Sequence, residues 1–320
     1  MTLKTLAVSA ALIGLGLIAA TQWRLSARAA SAQQTHPPTG QFVTVEGLAV
    51  HMQIAGSGPD LVMIHGANGN LREFTFALMA QLSDRYRVIA VDRPGLGYSD
   101  PLPGNDASTG GQARVLRQAM AQIGVENPIV LGQSYGGTVA LSWALQAPPA
   151  ALVLVSSPSL PWPGDLDPWY RITATPVGRA TLVPLASALV ADSYVRRAID
   201  GVFAPQSPPK GYADHLGIGL TLRRKSMATN VSQINGLRPQ VEVMQRDYPS
   251  LILPIELVHG DADTIVPLHI HSAPLMELIP NGALAVLPGA GHMPHHTHPN
   301  EVIAAIDRVA VRAGLRGHDQ

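Results

Sequence analysis

The chain has 320 residues, 46% of them hydrophobic, no cysteine, and 22 basic and 22 acidic side chains that cancel to zero net charge. That length holds one large or two small globular units, and the apolar content excludes a wholly disordered chain. The charge balance argues against a nucleic-acid partner, and the missing cysteines exclude a disulfide framework, a thiolate metal site and a cysteine nucleophile.

The first element is an apolar run. Residues 5–23 carry no charge and are rich in Ala, Leu and Ile; Lys4 precedes them, Trp23 stands at the edge, and Arg24 and Arg28 follow. As a helix rising ~1.5 Å per residue the run spans about 28 Å, close to the hydrocarbon core of a bilayer. It is longer than the core of a usual signal peptide, and Arg24 stands where such a peptide prefers neutral residues. Residues 1–25 are therefore expected to be a membrane anchor that stays attached, with the globular part on the periplasmic side of a bacterial envelope. The competing reading is a signal peptide cut near Ala30-Ser31-Ala32, followed by secretion. Residues 26–40, ending in Pro37-Pro38, are expected to be a linker that does not dock on the rest.

Next comes an expected hairpin, strands 41–45 and 48–55 around Glu46-Gly47. Apolar runs then alternate with helical patterns: strand 61–64, helix 72–82, strand 86–91, helix 112–123, strand 128–131, helix 135–146 and strand 151–155. Uninterrupted Val, Ile and Leu suit strands covered on both faces, and the alternation implies a parallel sheet. The rhythm breaks after Ser156. Residues 158–248 are Pro-rich and helical in tone, too long for a loop, and are expected to be an inserted structural layer of their own. Strand 252–259, strand 283–287 and helix 300–313 complete the pattern. The expected core is thus 41–157 joined to 249–316.

Chemistry gathers after the strands. Gly132-Gln133-Ser134-Tyr135-Gly136 matches G-x-S-x-G between an expected strand and an expected helix, the context in which a serine is presented on a tight turn. A serine nucleophile needs a base, and the base needs an orienting acid. His292, in Gly291-His292 after the last strand, is the expected base. Asp263, three residues past Gly260, is the expected acid in preference to Asp261, which reads as a turn residue. His295, His296 and His298 also lie near His292. They read as loop or rim residues, because no carboxylate set in the sequence nearby completes a metal shell. Oxyanion donors are expected from the backbone N–H of Tyr135 and of Ala67, in His65-Gly66-Ala67-Asn68-Gly69, with His65 bracing that loop. Asn68 reads equally as a donor or a turn residue. The segment Asp92–Ser99 reads as a structural turn at the pocket wall.

These segments, in this order, resemble the α/β-hydrolase superfamily over roughly residues 41–313. The resemblance implies an α/β fold: an eight-stranded, mostly parallel sheet with an antiparallel start, helices on both faces and a helical cap. It also implies a serine hydrolase acting on carboxylic esters or related acyl groups through an acyl-enzyme. Relatives that open epoxides or remove halide carry aspartate at the elbow, where this chain has Ser134. Carbon–carbon bond hydrolases and cofactor-free haloperoxidases share the serine and stay open as alternatives, as does a non-catalytic binding protein on the same scaffold. No cofactor or metal is expected. The substrate is expected to be a small apolar ester, in a pocket drawn from Asn68, Trp162, Trp169 and Tyr170, with Phe203 and Met227 as further candidates.

Overall fold

The computed structural model describes residues 3–317; the first two residues of the expected anchor and the last three of the chain lie outside them. β1 (Gln41–Val45) and β2 (Leu48–Ala55) form the hairpin, turning at Glu46 and Gly47. β3 (Asp60–Ile64), β4 (Arg87–Val91), β5 (Ile129–Gln133), β6 (Ala151–Val155), β7 (Ile255–Gly260) and β8 (Gly282–Leu287) follow. The eight strands form one sheet in the order β1-β2-β4-β3-β5-β6-β7-β8. β2 is antiparallel to β1 and β4, and all the remaining pairings are parallel.

The helices are α1 (Leu3–Thr35), α2 (Arg72–Thr75), α3 (Leu78–Leu82), α4 (Thr109–Gln122) and α5 (Tyr135–Gln146). Between β6 and β7 come α6 (Pro168–Ala174), α7 (Pro176–Leu189), α8 (Asp192–Phe203), α9 (Tyr212–Leu216), α10 (Ile218–Thr221) and α11 (Arg224–Met244). α12 (Ser272–Leu278), α13 (Pro294–Thr297) and α14 (Pro299–Arg312) complete the chain. The central strands are buried throughout, so each side of the sheet carries its own apolar layer. One layer joins Val62, Ile64 and Val130 to α4, α5 and Leu275 of α12. The other joins Leu61, Met63 and Leu131 to Phe74, Leu78 and, from α14, Val302 and Ile306. Two-sided burial is why these strands read as unbroken apolar runs.

Several expectations shift. The helix expected over 72–82 is two short ones, broken where Ala77 leaves helical geometry (φ −152°). β7 begins at Ile255 rather than Ile252: Ile252 is exposed, and Pro254, lacking an N–H, blocks the ladder. α12 was not anticipated; it is a short helix with Pro274 in its first turn.

The largest difference is the linker. α1 runs on through residues 26–35 to Thr35, and its distal part packs against α7 and α10. Leu25 and Ala32 are buried there. Four alanines in 26–35 supply helix propensity, and the helix stops just before His36-Pro37, where proline disfavours helical geometry in its predecessor. Arg24 and Arg28 cap the carbonyl end of α7. Arg24 Nε donates to the Ala188 carbonyl (3.3 Å), and Arg28 donates to those of Ser187 (3.2 Å) and Val190 (2.8 Å) and to Asp192 (2.7 Å). The N-terminal part of the same helix stands clear of the protein, with Leu12, Ile13, Leu15, Leu17, Ile18 and Trp23 exposed. It is the one helix among the described residues long and apolar enough to cross a membrane.

Candidate active site

The parallel strands deliver their loops to one edge of the sheet. Ser134 leaves β5 there with φ 50° and ψ −126°, a conformation costly for any residue with a Cβ. The turn is tight because its flanks are glycines: a Cβ on Gly132 would lie 2.4 Å from the Gly137 Cα, and one on Gly136 would lie 2.1 Å from the Ile64 carbonyl oxygen. The strain presents Ser134 Oγ beyond the strand, at the N-terminus of α5.

His292 follows β8, and its Nε2 lies 3.0 Å from Ser134 Oγ. Its Nδ1 lies 2.7 Å from Asp263 Oδ2. An ionised carboxylate only accepts, so Nδ1 carries the proton and Nε2 turns its lone pair to the serine. Asp263 is itself held in place, its Oδ1 accepting from the backbone N–H of Ile265 and Val266, both at 2.9 Å. Burial pushes its carboxyl up, but hydrogen bonds from His259 and His292 outweigh burial and hold it below the usual carboxylate range. His259 Nε2 faces both Asp263 Oδ2 (3.2 Å) and the Val266 carbonyl (2.7 Å), so it is the donor nitrogen; its Nδ1 then accepts from the Ser272 hydroxyl (2.7 Å). Asp261 instead accepts from the Gly289 N–H at 2.6 Å, across the neighbouring turn.

The loop after β3 passes over the serine: a Cβ on Gly66 would lie 3.1 Å from Ser134 Cβ. Among the described residues the Ala67 N–H has no hydrogen-bond acceptor. The Tyr135 N–H opens α5, where the first N–H groups of a helix lack an intrahelical carbonyl. His65 Nδ1 donates to the Gly66 carbonyl (2.9 Å), and its Nε2 accepts from the Arg93 N–H (3.0 Å). Burial and then the Arg93 charge pull His65 down to about 4, so it is neutral at pH 7.

Arg93, from the Asp92–Ser99 turn, is fully buried, and burial lowers its guanidinium to about 10. It donates to the carbonyls of His65 and Gly66, both at 2.9 Å, and to Gln112 (2.8 Å) and Gln233 (2.7 Å), and it lies 4.3 Å over the Tyr135 ring. Thus one buried cation braces both segments that carry free N–H groups beside the serine. The sequence marks that turn only as structure, because its partners come from distant segments.

The expected pocket residues part company. Asn68 and Tyr170 meet, with Asn68 Nδ2 3.4 Å from the Tyr170 hydroxyl. Trp162 packs edge-on against His271 and joins the core. Trp169 is exposed on α6, Phe203 is interior to a cluster with Tyr212, Leu216 and Met293, and Met227 is half-buried on α11.

His295 and His296 are not rim residues. Both turn inward, and their Nε2 atoms donate to Glu73 Oε1 at 3.0 and 2.9 Å; Tyr212 from α9 donates to the same oxygen at 2.9 Å. A carboxylate does meet the histidines, from α2, far off in sequence. Burial pushes Glu73 up, but the two histidine hydrogen bonds outweigh it and hold it ionised. Burial also draws His295 down to about 4, so it donates as a neutral ring. The three donor atoms lie within 4.8 Å of one another, the spacing of a metal site, but here they satisfy each other and tie α13 to α2 and α9.

The family described as alpha/beta hydrolase fold matches residues 59–299. An uncharacterized protein of Mycobacterium tuberculosis is 30% identical over 290 residues, covering 85% of this chain and 81% of its own. A pimeloyl-(acyl-carrier protein) methyl ester esterase of Edwardsiella ictaluri is 31% identical over 274 residues, covering 81% of this chain and 96% of its own. Among solved structures, a membrane phospholipase A, a bacterial virulence factor, superposes with a TM-score of 0.68 at 22% identity, over 96% of this chain and 97% of that one.

Proposed function

The chain belongs to the α/β-hydrolase fold family and is an enzyme, and from that premise we propose that it is a membrane-anchored serine esterase. The observation that carries this reading is the continuous relay from Ser134 Oγ through His292 to Asp263, at 3.0 and 2.7 Å. In the proposed reaction Ser134 Oγ attacks the ester carbonyl as its proton passes to His292 Nε2. Negative charge developing on the carbonyl oxygen is taken up by the Ala67 and Tyr135 N–H groups. The imidazolium then protonates the departing alkoxide, leaving an acyl-enzyme. A water, deprotonated by His292, attacks the acyl carbon, and Ser134 leaves with the proton from Nε2. Asp263 stays ionised throughout and stabilises the imidazolium.

A carboxylic ester is the favoured substrate, in keeping with the methyl ester on which the Edwardsiella relative is named to act. The residues 158–248 are taken as the cap over the site, with Tyr170 and Asn68 at its mouth. The free apolar part of α1 is taken as the membrane anchor, with the globular part periplasmic.

Ser134→Ala tests the reading. It is expected to lower kcat on short-chain esters by ~10⁴–10⁶-fold with the fold unchanged, as loss of a triad member does elsewhere. A folded variant keeping a tenth of wild-type turnover contradicts the assignment.

A further inference from the structure

Every polar group of Asn68 is engaged by the helices inserted between β6 and β7. Its N–H donates to Asn230 Oδ1 (2.8 Å), and Asn230 Nδ2 donates back to its Oδ1 (2.7 Å). Its carbonyl accepts from Thr221 Oγ1 (2.8 Å), and its Nδ2 faces the Tyr170 hydroxyl (3.4 Å). Asn230 is 3% exposed, on α11, and is spent on this pairing. Asn68 has φ 57°, a left-handed conformation that asparagine tolerates better than most residues but that still needs outside contacts to persist.

Immediately before it stands Ala67, whose N–H is free. The peptide unit that carries this N–H also carries the Gly66 carbonyl, held from the core side by His65 and Arg93. The next peptide unit carries the Asn68 N–H, held from the inserted helices by Asn230. Peptide units are rigid planes, so fixing one on each side of the Ala67 Cα leaves its dihedrals little freedom. His65 and Arg93 hold the first plane only by its carbonyl oxygen, and Arg93 is itself bonded to Gln233 of α11. The second plane has its direction only while α11 is seated.

We propose that Asn230, acting through Asn68, is a positioning residue for the Ala67 oxyanion donor, so that the oxyanion hole is complete only when the inserted helices are docked. The inference rests on the esterase reading and deepens it: a residue nearly a hundred positions past the nucleophile, on a different layer, sets transition-state stabilisation without touching substrate.

The test is Asn230→Ala, measured three ways on the full-length enzyme: kcat, KM for an ester, and the inhibition constant of a trifluoromethyl ketone. That ketone forms a tetrahedral oxyanion adduct and so reports on the hole. Misplacing one donor is expected to lower kcat ~10–100-fold, with KM little changed. Ketone affinity should weaken by the same factor as kcat/KM. A merely structural role lowers the melting temperature and the active fraction but leaves the inhibition constant as it was. Wild-type ketone affinity in folded N230A, or a loss confined to KM, overturns the proposal.

If N230A does not fold, Asn68→Gly decides. Glycine accepts φ 57°, keeps the backbone bond to Asn230 and removes the side-chain half of the pairing together with the Tyr170 contact, so a smaller loss of the same kind is expected, and unchanged kcat and ketone affinity overturn the proposal. Wild-type turnover and its loss in Ser134→Ala test the esterase reading separately. An unaffected N230A beside an active wild type therefore removes the role of Asn230 alone.

Discussion

At the scale of single residues, the two aspartates near His292 offer the sharpest contrast. Asp263 bonds the ring, while Asp261 accepts from the Gly289 backbone on the far side of the turn. Asp263→Asn is expected to lower kcat by about 10⁴-fold, since the amide cannot hold the productive tautomer or stabilise the cation. Asp261→Asn retains a hydrogen-bond acceptor and should stay within a few-fold of wild type; an equal loss in both variants, measured on one ester, contradicts the assignment. The buried histidines give a second expectation. His65, His271 and His295 are each held at about 4, chiefly by burial, against an ordinary 6.5. Between those values the unfolded chain binds more protons than the folded one, so stability rises with pH through the window and is fully present above it. Melting temperatures should climb from pH 4 to about 6.5 and then level off, and a flat profile contradicts this. Ser134, Asp263 and His292 were legible because each sits in a short motif just after a strand. Glu73, Arg93 and Asn230 were not, because what marks them is a partner that only the fold supplies.

At the scale of elements, legibility followed burial. β5, β6 and α5 matched their apolar runs closely because each is buried along nearly its whole length. α12 escaped because a helix of Ser-Ala-Pro-Leu-Met-Glu-Leu is too short to show a period. The 26–35 stretch looked like a linker because it is small and polar, although alanine-rich sequence is also what a surface helix is made of. Its docking changes what truncation should do. A chain beginning at residue 41 loses the Arg24 and Arg28 caps on α7, the Arg72 bond to the Pro37 carbonyl and the Thr39 bond to Gln53 (2.8 Å). It should fold but melt several degrees lower than a chain beginning at residue 24, since a loss of ~1 kcal/mol moves a domain of this size by about 2–4 °C. Equal melting temperatures would mean that the distal half of α1 contributes nothing.

At the scale of the whole molecule, one helix is asked to do two things. Its first half is exposed and apolar, and its second half is seated on the inserted helices that also hold Asn68. Full-length protein is expected in the membrane fraction and to need detergent for release, while a chain beginning at residue 24 is expected in the soluble fraction. Full-length protein found soluble without detergent contradicts the anchor. The α/β architecture itself was readable from rhythm alone, and the family match over 59–299 agrees with it. The central claim is narrower: one serine, activated by one histidine, carries the chemistry. The direct test is to treat the wild-type protein with a fluorophosphonate and locate the adduct by peptide mass spectrometry. A single adduct on Ser134 is expected, formed orders of magnitude more slowly in His292→Ala; no adduct, or an adduct on another residue with Ser134 unmodified, contradicts a Ser134 nucleophile.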